Sequence, residues 1–107
     1  MKDIMGLMKQ AQAMQAKMAQ AQAELEQIEV EGQSGGGMVR VRLTAKGMLR
    51  AIAIDDSLMK PEEKEILEDL IVTAHEDARR QADRATEEKM KAVTAGLPLP
   101  PGMKLPF

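Results

Sequence analysis

The chain has no cysteine, no tryptophan and no tyrosine, and only one phenylalanine among its 107 residues. The lack of cysteine excludes disulfides, zinc–thiolate sites and thiol catalysis. The near lack of aromatics argues against a reader of single strands or RNA, because such proteins stack bases on aromatic rings. No apolar run is long enough to span a bilayer, and we find no secretion signal. We therefore expect a cytoplasmic protein that does not contact membranes.

What the chain does have is a regular apolar stripe in its first quarter. The stripe consists of Ile4, Leu7, Ala11, Met14, Met18, Ala21, Leu25 and Ile28. This heptad spacing predicts a helix over residues 3–28 with a narrow apolar seam, typical of a helix that pairs with another helix. Such a helix would be about 39 Å long, whereas a compact domain of this size has a radius of gyration of about 13 Å. Part of the helix should therefore project.

The pattern then changes to the two-residue period of β-strands. Residues 28–31 alternate, and we expect a short strand there, followed by a turn over the glycine-rich residues 32–37. Residues 38–44 alternate strictly between apolar side chains and arginines, which predicts a half-buried antiparallel strand. Residues 45–47 are typical of a hairpin turn, in which Gly47 can adopt a positive φ.

Residues 48–55 predict the third strand of the meander. Ile52 and Ile54 would lie on one face, and Leu49, Ala51 and Ala53 on the other. Because both faces are fairly apolar, we expect this strand to be central or covered on both sides.

A second long helix is predicted over residues 61–94, with Pro61 in its first turn and Gly96 as its C-terminal cap. Large apolar residues in its first half should pack on the sheet, and the alanine-rich second half should pair with another helix. Residues 97–107 contain four prolines and should be extended. The expected fold class is thus α+β, with one α-β-β-β-α domain over residues 1–96 and a Pro-rich tail.

We find no motif for catalysis or metal binding. The loop of residues 34–37 joins two strands and lacks the residues of a phosphate-binding loop. Asp55 and Asp56 are typical of a turn at a strand end. His75 is the only histidine and has no nucleophile or metal ligand near it in sequence. We therefore expect that the protein is not an enzyme and that it binds no metal, cofactor or small-molecule substrate.

Basic residues are the best functional candidates, because acidic and basic zones are segregated along a chain whose net charge is only -2. The candidates on the two helices are Lys2, Lys9, Lys17, Arg79, Arg80, Arg84, Lys89 and Lys91. Further candidates around the second and third strands are Arg40, Arg42, Lys46 and Arg50. Paired helices that project could place such charges along the phosphates of duplex DNA.

Two other interpretations of these residues remain open. The helix cations can be solvated positions balanced by Asp83, Glu87 and Glu88, and Arg40 and Arg42 can pair with glutamates across the meander. The apolar helix seams and the Pro-rich tail can instead dock a protein partner, which would make the chain an interaction module that acts on a DNA-associated protein. Phosphate binding weakens steeply with salt, whereas an apolar contact does not.

The chain resembles the YbaB/EbfC family of bacterial nucleoid-associated proteins over essentially its whole length. Residues 8–15 (MKQAQAMQ) are similar to the family's opening, and residues 30–39 (VEGQSGGGMV) to its glycine-rich segment. Residues 54–58 (IDDSL) match a segment in which proline is common at the position of Asp56. Residues 68–74 and 96–107 (EDLIVTA and GLPLPPGMKLPF) complete the collinear match.

The resemblance implies an α-β-β-β-α fold and a tweezer-shaped homodimer, and the heptad stripe adds the expectation of coiled-coil packing. It also implies binding to double-stranded DNA in the cytoplasm, at the nucleoid, with a change in DNA conformation and roles in nucleoid organisation or gene regulation. The family offers no short DNA-binding motif to carry over, so the candidate residues rest on charge and geometry.

Overall fold

In the computed structural model, which describes residues 2–94, two long helices flank a small sheet. Helix α1 (Lys2–Gln27) is followed by strands β1 (Glu29–Ser34), β2 (Val39–Thr44) and β3 (Leu49–Ile54), and then by helix α2 (Lys64–Thr94). Pro61 begins a short 3-10 turn that leads directly into α2. The predicted α-β-β-β-α fold is confirmed. The predicted cap at Gly96 and the tail of residues 97–107 lie outside the described residues.

The three strands form an antiparallel sheet in the order β1-β2-β3. The prediction that the third strand is central or covered on both sides is therefore wrong for the single chain. Two successive hairpins place β2 in the middle and leave β3 at an edge. Five of its six residues are exposed, and only Ile54 is half-buried. Its apolar character is thus not explained by contacts within the described chain.

Two details of the sheet also differ from the prediction. Strand β1 continues through Gly32 to Ser34, so only Gly35–Gly37 form the turn. An irregularity opposite Arg42 and Leu43 shifts the register of β3, so that Leu49 pairs with Leu43 and lies on the same face as Ile52. This irregularity places Leu49 on the opposite face from the one expected by simple alternation.

Helix α2 covers one face of β1 and β2. Val39, Val41 and Leu43 are buried against it, whereas Arg40 and Arg42 point to solvent, as their alternation predicts. The helix presents the small residues Ala74 and Ala78 to the sheet, and Gly32 lies so close that a Cβ there would overlap main-chain atoms of both alanines. Small residues on both sides therefore allow the backbones to approach closely.

The second half of α2 packs against the C-terminal third of α1. Ala21 and Leu25 of α1 are buried with Ala45 and Met90 in a second apolar cluster. The helices run antiparallel, because Lys89 pairs with Glu24 while Val93, further along α2, lies beside Lys17.

The N-terminal part of α1 projects beyond these contacts, as its length predicts. Residues 4–17 are exposed except for Met14, which is half-buried. The molecule is accordingly elongated, with principal extents of 72 × 25 × 16 Å and a radius of gyration of 19.8 Å. In the part of the chain that the structure describes, neither helix has the length and apolarity needed to cross a bilayer.

Candidate nucleic-acid interface

Three of the predicted cations share the outer face of α2. Arg80, Arg84 and Lys91 are spaced by four and seven residues, which places them on one side of a helix. All three are exposed, and they lie opposite the face that carries the buried Ala74, Ala78 and Ala82. At a rise of about 1.5 Å per residue, this row is about 17 Å long. We refer to Arg80, Arg84 and Lys91 as the outer row.

The neighbours of these arginines differ. Arg80 Nη2 lies 3.5 Å from Asp77 Oδ1, and the other carboxylate oxygen of Asp77 accepts a hydrogen bond of 3.0 Å from the main-chain N–H of Gln33. Arg84 has no ion pair to another described residue. Both arginine side chains are exposed, and the ion pair with the half-buried Asp77 neutralises Arg80 only in part.

Arg79 points elsewhere, although it is adjacent in sequence. Its guanidinium group lies against Gly47 in the turn between β2 and β3, where a Cβ on Gly47 would collide with Arg79 Nη1. Gly47 adopts a φ of +95°, the positive value predicted for it. Arg79 is thus an exposed cation at the end of the sheet rather than a member of the outer row.

Lys89 joins the two helices. Its ammonium group forms an ion pair with Glu24 of α1, and the lysine is half-buried. The hydrogen bond and charge of Lys89 lower the pKa of Glu24 below its ordinary value, with a smaller contribution from Gln20. The role of Lys89 that the structure shows is therefore to attach α1 to α2.

On α1, the structure describes two of the three predicted lysines. Lys9 and Lys17 are both exposed, and Lys17 lies at the point where α1 leaves its contact with α2. The side chain of Lys2 lies outside the described residues. The cations of α1 and the outer row of α2 thus occupy different helices of one elongated body.

A second group of cations lies around the sheet. Arg40, Arg42, Lys46 and Arg50 are all exposed. Arg42 Nε lies 3.7 Å from Glu29 Oε1, which is the cross-strand pairing left open by the sequence, and Lys46 Nζ lies 3.3 Å from Glu26 Oε1. Arg40 stands opposite Gln33, which carries no charge. Two of these four cations are therefore paired with acids of the same chain.

Sequence reasoning missed an apolar groove between β3 and α2. It has a volume of about 310 Å³ and its walls are mainly apolar. The residues that line it are Val41, Leu49, Ile52, Ile71, Val72, His75 and Glu76. The signal that could have revealed it is the apolar second face of β3 together with the adjacent Ile71 and Val72. His75, the only histidine, is exposed at the rim of this groove.

The remaining polar candidates have structural roles. The carboxylate of Asp55 accepts a hydrogen bond of 3.1 Å from the main-chain N–H of Ser57, and this hydrogen bonding by Ser57 lowers the pKa of Asp55. Ser34 donates its hydroxyl hydrogen to the carbonyl oxygen of Leu70, with an O–O distance of 2.6 Å. Among the described residues, no three acidic or histidine side chains are grouped as a metal site would require.

Comparison with known proteins identifies the family of this chain. Residues 1–97 match the model of the YbaB/EbfC DNA-binding family. The chain belongs to this family. The resemblance carried by the glycine-rich segment is thereby confirmed.

Several relatives of this YbaB/EbfC family member are similar over their full length. A protein of Methylocella silvestris named nucleoid-associated protein is 73% identical, and both chains are covered completely. Nucleoid-associated protein Atu0095 of Agrobacterium fabrum is 55% identical, again over the whole of both chains. Among solved structures, the crystal structure of uncharacterized protein HP0035 from Helicobacter pylori is 30% identical. It has a TM-score of 0.64, with 82% of this chain and 88% of that chain covered.

Proposed function

We propose that this YbaB/EbfC family member is a nucleoid-associated protein that binds double-stranded DNA through phosphate contacts. The observation that carries the proposal is the outer row on α2, in which Arg80, Arg84 and Lys91 are exposed on one helix face. Phosphate binding requires positively charged side chains at suitable positions and does not depend on base identity. The outer row meets this requirement. The relatives named nucleoid-associated protein support the same function.

The arrangement favours contacts to the DNA backbone over base readout. Neither described helix belongs to a helix-turn-helix pair, since a three-stranded sheet separates them. Lys9 and Lys17 on α1 add exposed positive charge along the projecting helix. Binding should therefore be weakly dependent on sequence, and DNA gripped along two helices would change its conformation. In this role the protein would act in the cytoplasm, at the nucleoid, with effects on nucleoid organisation and gene regulation.

The function we propose includes a homodimer. The groove between β3 and α2 exposes Leu49 and Ile52 to the extent of 51% and 43%, and Val72 to 57%. Edge strands with exposed apolar side chains are normally covered in a native assembly. A second copy packed there would bury this surface and place two pairs of projecting helices in one tweezer-shaped particle, which could contact DNA from two sides.

The test is the binding of a duplex of about 30 base pairs, followed by fluorescence anisotropy at several salt concentrations. If phosphate contacts drive binding, the logarithm of the affinity falls linearly with the logarithm of the salt concentration, with a slope of about -0.9 per phosphate contacted. The double variant R80E/R84E should bind at least about tenfold more weakly and should show a smaller slope.

A matched control separates a local contact from a general effect of charge. Lys60 and Lys64 are also exposed, but they lie at the acidic beginning of α2. The variant K60E/K64E makes the same change in net charge and should bind nearly as well as the unchanged protein. An equal loss in both double variants would show that only the overall charge matters, and the outer row would lose its proposed role.

The apolar groove favours a second candidate, a module that docks a DNA-associated protein partner. An apolar contact of that kind changes little with salt. If the protein fails to bind duplex DNA even at low salt, the DNA proposal is contradicted and the groove becomes the functional surface to study.

A further inference from the structure

A notch lies between α1 and α2 near the end of their contact. It has a volume of about 240 Å³ and is open to solvent. Because one water molecule occupies roughly 30 Å³ in the liquid, the notch has room for a small anion. The polar side chains that line it belong to Lys17, Gln20 and Glu24 of α1 and to Lys89 of α2. We call it the inter-helix notch.

Donors from both helices bind the carboxylate of Glu24 at this notch. Lys89 forms an ion pair with it, and Gln20 Nε2 donates a hydrogen bond of 3.2 Å to Glu24 Oε1. These contacts lower the pKa of Glu24, with the hydrogen bond from Lys89 as the largest cause, so the carboxylate is ionised at neutral pH. An ammonium group and an amide N–H are also donors that bind phosphate oxygens. The donors at the notch thus already hold one oxyanion, which is a side chain of the same protein.

Lys17 adds a cation that Glu24 does not neutralise. It lies two helical turns before Glu24, on the same side of α1, and has no ion pair to another described residue. Two lysines against one carboxylate leave an excess of positive charge at the notch. A wider hollow of about 590 Å³, which extends from the ion pair toward Ile28, gives the carboxylate space to move away.

We propose that the inter-helix notch binds one phosphate group of the DNA backbone and that Glu24 occupies this site in the free protein. The phosphate replaces the carboxylate between Lys89 and Gln20, Lys17 contacts it as well, and Glu24 turns toward the wider hollow. A phosphate bound there touches both helices, so the DNA backbone bridges α1 and α2. The choice of DNA as the source of the phosphate rests on the proposed function, whereas the phosphate site itself does not.

The two sides of the ion pair give opposite predictions for DNA affinity, which is measured in the full-length chain by fluorescence anisotropy at one salt concentration. Glu24→Gln removes the competing carboxylate and should tighten binding about threefold, and Lys89→Gln removes a phosphate ligand and should weaken it about fivefold, as expected for partly exposed charges. Both variants break the ion pair. If the pair only attached α1 to α2, both would therefore shift the affinity in the same direction, and that result would overturn the proposal.

A matched control separates this effect from a change in net charge. Glu68→Gln alters the charge by the same amount at an exposed position on α2 that does not line the notch. It should leave the affinity for DNA nearly unchanged. If Glu68→Gln tightened binding as much as Glu24→Gln, displacement of Glu24 would not be the cause and the proposal would fail. Circular dichroism at the temperature of the assay establishes that each variant is folded.

A second experiment tests the phosphate site without DNA. Inorganic phosphate is titrated into the ¹⁵N-labelled full-length chain, with sodium chloride of equal ionic strength as the reference, and amide signals are followed by nuclear magnetic resonance.

In Glu24→Gln, the signals of Lys17, Gln20 and Lys89 should shift to saturation at lower phosphate concentrations than in the unchanged protein. Adding Lys17→Gln should raise the Kd for phosphate at least about threefold. The lack of saturable shifts at these residues in Glu24→Gln would overturn the site, even if the protein binds DNA. Saturable phosphate binding by a protein that does not bind duplex DNA would support the site but contradict both the proposed function and DNA as the source of the phosphate.

Discussion

At the scale of single residues, Gly32 leaves no room for a side chain, because the backbone of α2 lies against it. A Cβ at this position would overlap the main chain of α2 at Ala74 and Ala78. We expect Gly32→Ala to lower the free energy of unfolding by about 3 kcal/mol, the upper end of the usual cost of overpacking, because backbone atoms cannot rotate away. Chemical denaturation followed by circular dichroism measures this change.

Gly6 provides the matched control for that substitution. It lies within α1, and a Cβ there would meet nothing within 4 Å. Gly6→Ala should therefore stabilise the protein by about 0.5–1 kcal/mol through helix propensity. If the two variants changed stability in the same direction, close packing of β1 on α2 would not be the cause.

The place of Gly32 in a strand could not be predicted from its neighbours. A run that includes Gly32 and Gly35–Gly37 is typical of a turn, and only the approach of α2, more than forty residues later, explains the extended strand. The same holds for Lys89. Its charge is visible in the sequence, but its ion pair with Glu24 depends on how two distant helices pack.

At the scale of elements, the attachment of α1 to α2 depends on pH. Lys89 lowers the pKa of Glu24 in the folded chain, so the folded state favours the ionised carboxylate more than the unfolded state does. The stabilisation is complete above the ordinary pKa of glutamate, about 4.3, and is lost as the pH falls through the lowered value. Glu24→Gln should therefore lower the melting temperature at neutral pH, and the difference should disappear in acid.

Thermal unfolding at several pH values, monitored by circular dichroism, checks this expectation. Glu68→Gln is a suitable control, because Glu68 is exposed on α2 and has no ion pair with a described residue. A Glu24→Gln effect of equal size at every pH would contradict the ion pair as its source.

Elements with a strong local pattern were predictable, and those defined by partners were not. The heptad stripe predicted α1, and the alternation around Arg40 and Arg42 predicted β2. An element that buries one face repeats apolar residues at its own structural period, and this repeat is visible in the sequence. The two apolar faces of β3 indicated cover on both sides, yet the strand lies at an edge. The alternation also could not reveal the irregularity that turns Leu49 to the other face.

The candidate site was predictable only in part for the same reason. The spacing of Arg80, Arg84 and Lys91 follows from helical geometry and is readable in the sequence. The contact of Arg79 with Gly47 depends on where the turn between β2 and β3 lies against α2, which no local pattern records.

At the scale of the whole molecule, the proposed homodimer can be tested at the apolar groove. Ile52 lies on the groove side of β3, and the adjacent Ala51 is exposed on the opposite face. In the proposed homodimer, a lysine at position 52 would place a charge within an apolar contact, which is costly. We expect Ile52→Lys to convert the proposed homodimer into a monomer and Ala51→Lys to leave it intact. Analytical ultracentrifugation distinguishes the two states.

Either of two results would contradict a homodimer built on this groove. One is a dimer that persists in Ile52→Lys, which would require a different contact surface. The other is an unchanged protein that sediments as a monomer at all concentrations tested. Circular dichroism of Ile52→Lys establishes that the chain remains folded in each case.

Among the described residues, only the C-terminal third of α1 is buried against another element, so the rest of the helix can move as a rigid arm. Leu25 lies in the fixed part of the helix, and Ile4 lies about 31 Å away along the helix axis. A rotation of about 10° at Leu25 therefore displaces the tip by about 5 Å. Small changes in the packing of Ala21 and Leu25 would be amplified at the tip, so the side chains in this cluster would set the position of the N-terminal end of α1.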